Sequence, residues 1–189
     1  MTEQELLVDC LTRLNSAEIQ YMVTGSMASN FWGIPRSTHD LDFVVQIPPS
    51  SVSKFVKAFA SDFYLDEQSI RDAYNPPYQF NAIDERSALK VDFWFPAKSE
   101  FERCMFDRRQ KRTIFKVPAW IATAEDIILH KLYWDKISSS ERQRGDVAGV
   151  FAVQKDSLDE AYLRNGAKEL GVENSLNLLL SGEIKPKAT

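Results

Sequence analysis

Two apolar segments, Leu41 to Ile47 (LDFVVQI) and Leu89 to Phe95 (LKVDFWF), each carry an aspartate inside a run that otherwise asks for burial. Alternate residues of a β-strand project to the same face. Asp40 and Asp42 therefore point together, while Leu41 and Phe43 point into a core. Two carboxylates side by side repel each other unless a cation or a proton lies between them, so the spacing suits a divalent metal. A solvated strand entrance would also produce it. Asp92, between Val91 and Phe93, repeats the apolar-acid-apolar frame, and a third carboxylate is expensive to bury without a cation. Three carboxylates converging from two neighbouring strands can hold two Mg2+ ions, one activating a hydroxyl and one neutralising a triphosphate.

The segments around these strands fix the fold class. Leu6, Leu7, Cys10, Leu11 and Leu14 form one helical stripe, predicting a helix from about Thr2 to Ala17. Tyr21 to Gly25 reads as a short buried strand ending at glycine. Ser26 then stands as the N-cap of a helix that Gly33 and Pro35 terminate. Ser50 to Ala60 has apolar residues at helical spacing. Phe80 to Ile83 and Leu89 to Phe95 predict two strands joined by a polar turn, so the sheet is mixed. A short helix from about Ala97 through Phe101 and a basic strand-like segment, Arg108 to Val117, follow. From Ala124 onward four helical segments succeed one another, and "IKPKAT" reads as a frayed end. The expectation is an α/β (α+β) chain: a mixed-sheet core over 1–123, flanked by helices, and a helical C-terminal region over 124–189.

The chain of 189 residues is 44% hydrophobic and 12% aromatic, ample for a packed core. It has no apolar run able to span a membrane and no basic start leading into an apolar signal core, so it reads as cytoplasmic. Cys10 and Cys104 lie in half-apolar helical segments and are expected as buried thiols. A net charge of −4 argues against coating nucleic acid by bulk electrostatics, although a local basic patch would not be excluded.

Gly25-Ser26 lies at a strand-to-helix turn, where glycine lets a phosphate approach backbone N–H groups and the helix N-terminus adds positive potential. Gly25-Ser26, then thirteen residues, then Asp40-Leu41-Asp42, then Val91-Asp92-Phe93, resembles the DNA polymerase beta-like nucleotidyltransferase superfamily. The wording VTGSMASNFWGIPRSTHDLDFVV, followed by AEDIILHKL and RGDV, is similar to small bacterial nucleotidyltransferases related to AbiEii-type toxins. The resemblance implies a nucleotidyltransferase sheet core and a helical C-terminal region that closes the nucleotide cleft. It implies that Asp40 and Asp42 ligate both Mg2+ ions, that Asp92 ligates the one activating the acceptor, and that Gly25 and Ser26 hold the triphosphate.

Other residues have two readings each. Lys131 and Asp135 sit near the centre of a stripe formed by Ile127, Ile128, Leu132 and Trp134. Lys131 either reaches nucleotide phosphates, with Asp135 fixing it or joining a neighbouring network, or forms a structural i,i+4 pair. Arg36 meets phosphate or is solvated. Asp146 orients Lys131 or pairs with Arg142. His39 has the wrong alternation to join the acids and is expected in a loop or capping role. The basic run Arg108, Arg109, Lys111, Arg112 and Lys116 either binds an RNA acceptor or protects an edge strand. Phe31, Trp32, Phe93 and Trp94 are expected in the core, with one of them able to stack on a base.

The function expected is a Mg2+-dependent transferase of a nucleoside monophosphate from a nucleoside triphosphate to a hydroxyl, with release of pyrophosphate. The acceptor is open: a tRNA end, a protein hydroxyl or an aminoglycoside-like small molecule. The alternative is a nucleotide-binding regulatory or toxin-like module, held by an antitoxin-like partner, without useful turnover.

Overall fold

The computed structural model describes residues 1–96 and 99–186. The expected start of a helix at Ala97 and the last residues of the expected frayed end lie outside these. One seven-stranded mixed sheet has the order β3-β4-β5-β2-β1-β7-β6. Its strands are β1 (Gln20–Val23), β2 (Leu41–Gln46), β3 (Phe63–Tyr64), β4 (Gln79–Asp84), β5 (Lys90–Trp94), β6 (Gln110–Ile114) and β7 (Val117–Ile121). Helix α1 (Glu3–Ser16) precedes the first strand, α2 (Gly25–Trp32), α3 (Val52–Phe59), α4 (Glu67–Asp72) and α5 (Glu100–Arg108) come between strands, and α6 (Ala124–Ile137), α7 (Glu141–Gln154), α8 (Glu160–Leu170) and α9 (Glu173–Leu180) follow them. This is the expected α+β architecture.

The chain divides into two compact units, residues 1–25 with 39–121 and residues 26–38 with 122–189. The first contains the sheet. β2 runs parallel to β5, in the register Leu41–Val91, Asp42–Asp92 and Phe43–Phe93, and β5 runs antiparallel to β4, placing Phe80 beside Phe93 and Asn81 beside Asp92. One face is thereby committed to aromatic packing. Phe43 and Phe93 stack at 5.6 Å, Phe80 and Phe93 at 5.2 Å, and Phe55 of α3 meets Phe93 edge-on at 5.2 Å. Phe43, Phe55 and Phe93 are fully buried, and rings offset or edge-to-face at these separations gain more than their area alone provides. α1 presents Leu6, Leu7, Cys10, Leu11 and Leu14 to the core and begins at a reciprocal capping box between Thr2 and Glu5.

The second unit joins α6–α9 to the segment 26–38. Trp32 donates its indole N–H to the Ala122 carbonyl at 2.8 Å, and Gln154 donates to the Trp32 carbonyl at 2.8 Å. Gly33 lies against α7 so closely that a Cβ there would fall 2.6 Å from the Val150 nitrogen. α6 opens at Thr123, whose hydroxyl accepts the Asp126 N–H, and Asp126 accepts from the Tyr162 hydroxyl at 2.6 Å.

Several elements differ from expectation. The segment read as one basic strand, Arg108 to Val117, holds the end of α5, β6 and a turn, and it leads into β7, which completes a hairpin with β6 and pairs with β1. Periodicity missed β7 because Pro118 and the two-residue turn interrupt it. Ser26 is not an N-cap, because α2 already includes Gly25. Cys10 is buried as expected, but Cys104 is exposed, on the outer side of α5 from Phe101, Met105 and Phe106. Trp134 is 40% exposed and does not belong to the buried stripe of α6.

Candidate active site

The register that buries the phenylalanines turns Asp42 and Asp92 to the other face as direct neighbours, with Asn81 next in the row. Both aspartates are half-buried and braced. Asp42 Oδ1 accepts from the Trp94 indole at 3.4 Å, and Asp92 Oδ1 accepts from the Gln79 amide at 3.1 Å. Lys90 Nζ lies 2.8 Å from Asp92 Oδ2. The Lys90 ammonium is held above its ordinary pKa, first by the bond to Asp92 against the opposing effect of burial, then by the charges of Asp92, Asp42 and Asp40. One cation therefore sits in the field of all three acids singled out in the sequence. Asp40 is exposed and precedes β2 by one residue, so it is not held in the ladder as Asp42 and Asp92 are.

Gly25 follows β1 directly after Thr24, opens α2 and has φ +60°, a conformation glycine adopts without steric penalty. A Cβ at this position would fall 2.3 Å from Asp42 Oδ2. The Thr24 N–H donates to the Asp42 carbonyl at 3.1 Å, which fixes the turn against β2. Backbone thus passes within contact distance of a carboxylate, where any side chain would displace it. Carboxylate and amide oxygens on adjacent strands are hard donors that suit Mg2+. Among the described residues, no three His, Cys, Asp or Glu are gathered into a ready metal-binding group.

In the second unit a different cluster forms. Arg36 grips Asp146 with two bonds, Nε to Oδ1 at 2.6 Å and Nη2 to Oδ2 at 2.8 Å, and Nη2 also reaches Ser26 Oγ at 2.9 Å. Such bidentate, charge-assisted bonds are among the strongest available to a side chain. Lys131 Nζ donates to the same Asp146 Oδ2 at 2.8 Å and to Gln143 Oε1 at 2.9 Å. Lys131, Ser26 and Asp146 are all buried. Burial alone would raise the pKa of Asp146, but the bond from Arg36 and the charge of Lys131 hold it below its usual value. Asn30 fixes the backbone of Arg36 from both sides, accepting its N–H at 3.0 Å and donating to its carbonyl at 2.7 Å.

The sequence leaves Arg36 between phosphate contact and solvation, whereas the structure places it in the buried network. Asp146 bonds Lys131 and Arg36. Asp135 is not in this cluster: it caps Ser140 at 2.7 Å and pairs with Arg144 at 3.0 Å, the neighbouring-network alternative. His39 is exposed and pairs with Glu3, away from the acids in role as in alternation. Phe93 is core, but Phe31 is 36% exposed. Gln79, Asn81 and Lys90 were missed, and Trp94, expected in the core, instead braces Asp42. Lys90 and Trp94 lie two residues either side of Asp92, so the alternation that found the aspartate also puts them on its face. Gln79 and Asn81 required the β4–β5 register.

No known family model matches the chain, and no curated protein matches it. Solved structures do. An antigenic nucleotidyltransferase-like protein from Paracoccidioides brasiliensis aligns with a TM-score of 0.61 at 15% identity, over 98% of this chain and 94% of that one. ANT(2'')-Ia in complex with adenylyl-2''-tobramycin aligns with a TM-score of 0.64 at 12% identity, over 92% and 99%. The solution structure of the antibiotic-resistance factor ANT(2'')-Ia gives 0.61 at 12%, over 95% and 97%. Across nearly its whole length, the chain has the fold of these nucleotidyltransferase-like proteins.

Proposed function

We propose that the protein is a divalent-metal-dependent nucleotidyltransferase of the AbiEii-like kind, transferring a nucleoside monophosphate from a nucleoside triphosphate to a hydroxyl. The observation that carries this reading is the Asp42–Asp92 pair, fixed side by side by strand register, with Gly25 pressed against Asp42. Asp40, Asp42 and Asp92 would hold Mg2+, which supplies charge neutralisation of the triphosphate and lowers the pKa of the acceptor hydroxyl. Gly25 and Ser26 bind phosphate through backbone N–H groups and the serine hydroxyl. Arg36 and Lys131 contribute positive charge.

Asp92 orients the acceptor. The acceptor oxygen attacks the α-phosphorus, the bond from that phosphorus to the pyrophosphate oxygen breaks, and the hydroxyl proton passes to the Asp92 carboxylate. The tobramycin adduct of a fold neighbour makes an aminoglycoside-like hydroxyl one acceptor class, beside RNA ends and protein hydroxyls. Among the described residues no helix is long and apolar enough to cross a membrane.

The test is incubation with each nucleoside triphosphate, Mg2+ and candidate acceptors, followed by mass spectrometry and pyrophosphate release. Asp92→Asn should abolish transfer with an unchanged melting temperature. Equal activity in the variant removes Asp92 from the chemistry. Nucleotide binding without turnover on any acceptor would support a regulatory or toxin-like binding module instead.

A further inference from the structure

The β6–β7 hairpin has features that the nucleotide site does not use. β6 is one of the two edge strands of the sheet, and Arg108, Arg109, Lys111, Arg112 and Lys116 lie along or beside it in a chain of net charge −4. Edge protection explains charged strand residues such as Lys111 and Arg112. It does not explain exposed aromatic rings among them. Trp120 is 36% exposed and directly opposite Lys111, and Phe115 is 51% exposed at the tip.

The tip itself is costly. Phe115 and Lys116 form the two-residue turn with φ of 46° and 70°, a conformation that hairpins normally assign to Asn-Gly. A phenylalanine and a lysine held there point to selection for what they present. Arg109 sets a cation against the Trp120 ring, and its Nη1 donates to the Phe106 carbonyl at 2.6 Å. Its guanidinium carbon lies 4.0 Å from the Phe106 ring centre and 5.2 Å from that of Trp120, and its Nε is buried without a hydrogen-bond partner among the described residues. Burial, offset only in part by Asp107, pulls its pKa below the usual value. A cavity of about 340 Å³ opens beside it, lined by Asn15, Glu18, Gln20, Tyr21, Arg109 and Trp120, within the size range of small-ligand sites.

We propose that this hairpin face is a docking surface for single-stranded RNA. Trp120 and Phe115 offer stacking platforms, Lys111, directly opposite Trp120, and Lys116 meet phosphates, and the Arg109 guanidinium, packed against the Trp120 ring, steadies that platform and adds positive charge beside the cavity. Stacked aromatics interleaved with cations are what sequence-tolerant single-strand binding requires. Phe115 stands at the turn, and Trp120 lies three strand steps along β7 from Val117, about 10 Å of extended strand. RNA then becomes the acceptor class, a step that rests on the proposed transferase reading, whereas the binding does not.

The experiment uses the full chain carrying Asp92→Asn, with chelator and no nucleotide, and a fluorescein-labelled single-stranded RNA followed by anisotropy. Binding is expected, with Trp120→Ala and Arg109→Met each weakening it about tenfold or more and Trp120→Phe retaining most of it. Lys111→Gln should reduce the salt slope by about one phosphate contact. Absence of RNA binding, indifference to the Trp120 and Arg109 variants when their melting temperatures match the parent, or equal affinity for duplex DNA overturns the surface. Transfer to small-molecule or protein hydroxyls would continue in that case and leave the transferase reading standing. RNA binding without nucleotide transfer to an RNA end by the unsubstituted protein overturns RNA as the acceptor.

Discussion

The two charged clusters are built on opposite plans. In the sheet unit, one largely exposed ammonium, Lys90, pairs with Asp92 in the field of Asp42, two carboxylates that are held by strand register and left half-open to water. In the helical unit, one buried carboxylate, Asp146, serves two cations that are themselves locked by side-chain bonds. Screening by solvent makes the first arrangement inexpensive to alter in stability. Burial makes the second expensive, because deleting one partner leaves desolvated charge behind. A carboxylate row near water suits an exchangeable cation, and a buried lattice suits permanent positioning of Lys131 and Arg36.

The largest contrast should come from Asp146→Ala, which removes the acceptor shared by Lys131 and Arg36 and should lower unfolding free energy by about 3 kcal/mol in urea titrations. Asp92→Asn should stay within about 1 kcal/mol of the parent in the same measurement. Similar losses in the two would erase the distinction between the clusters.

Gly25→Val comes next. Its Cβ would collide with Asp42, and a branched residue at φ +60° is strained. A cost of about 2 kcal/mol is expected from the backbone alone, and calorimetric titration with a nucleoside triphosphate should show binding lost. Retained affinity would sever Gly25 from phosphate recognition.

Lys131→Met should weaken nucleotide affinity about tenfold, or about 1.4 kcal/mol. A steep drop in melting temperature with unchanged affinity would instead make Lys131 a purely structural member of the Asp146 network, a reading that its two bonds now make sharper.

The smallest effect concerns His130, which accepts from the Trp134 indole at 3.0 Å and whose pKa burial and the adjacent Lys131 push down to about 4, against 6.5 unperturbed. The unfolded chain takes up this proton first, so stability is lost as pH falls from about 6.5 toward 4. His130→Gln should flatten melting temperature across that window. Asp146 acts in a lower range: its depressed pKa adds stability above the ordinary carboxylate value, lost only as pH falls through the folded value.

The strands bearing Asp42 and Asp92 were legible because alternation is local, and the C-terminal helices because their apolar spacing and caps are local too. The four helical segments expected from Ala124 onward are α6 to α9. Pairings across sequence were not legible. Nothing within eight residues of Asp146 announces Arg36, and the assignment of 26–38 to the helical unit depends on Trp32 and Gly33 meeting residues far along the chain. β7 was hidden by a proline, and Trp134 was placed in the core because a helical wheel records spacing but not what stands opposite.

The ladder between β2 and β5 sets Phe43 on Phe93 and Asp42 on Asp92 in one act. A slip of one residue would carry the acids into the aromatic layer and the rings into water. Loss of the site by misalignment and loss of the fold are therefore the same event. Molecules that mature at all arrive with the acid pair already aligned, so proofreading of the site is delegated to folding itself.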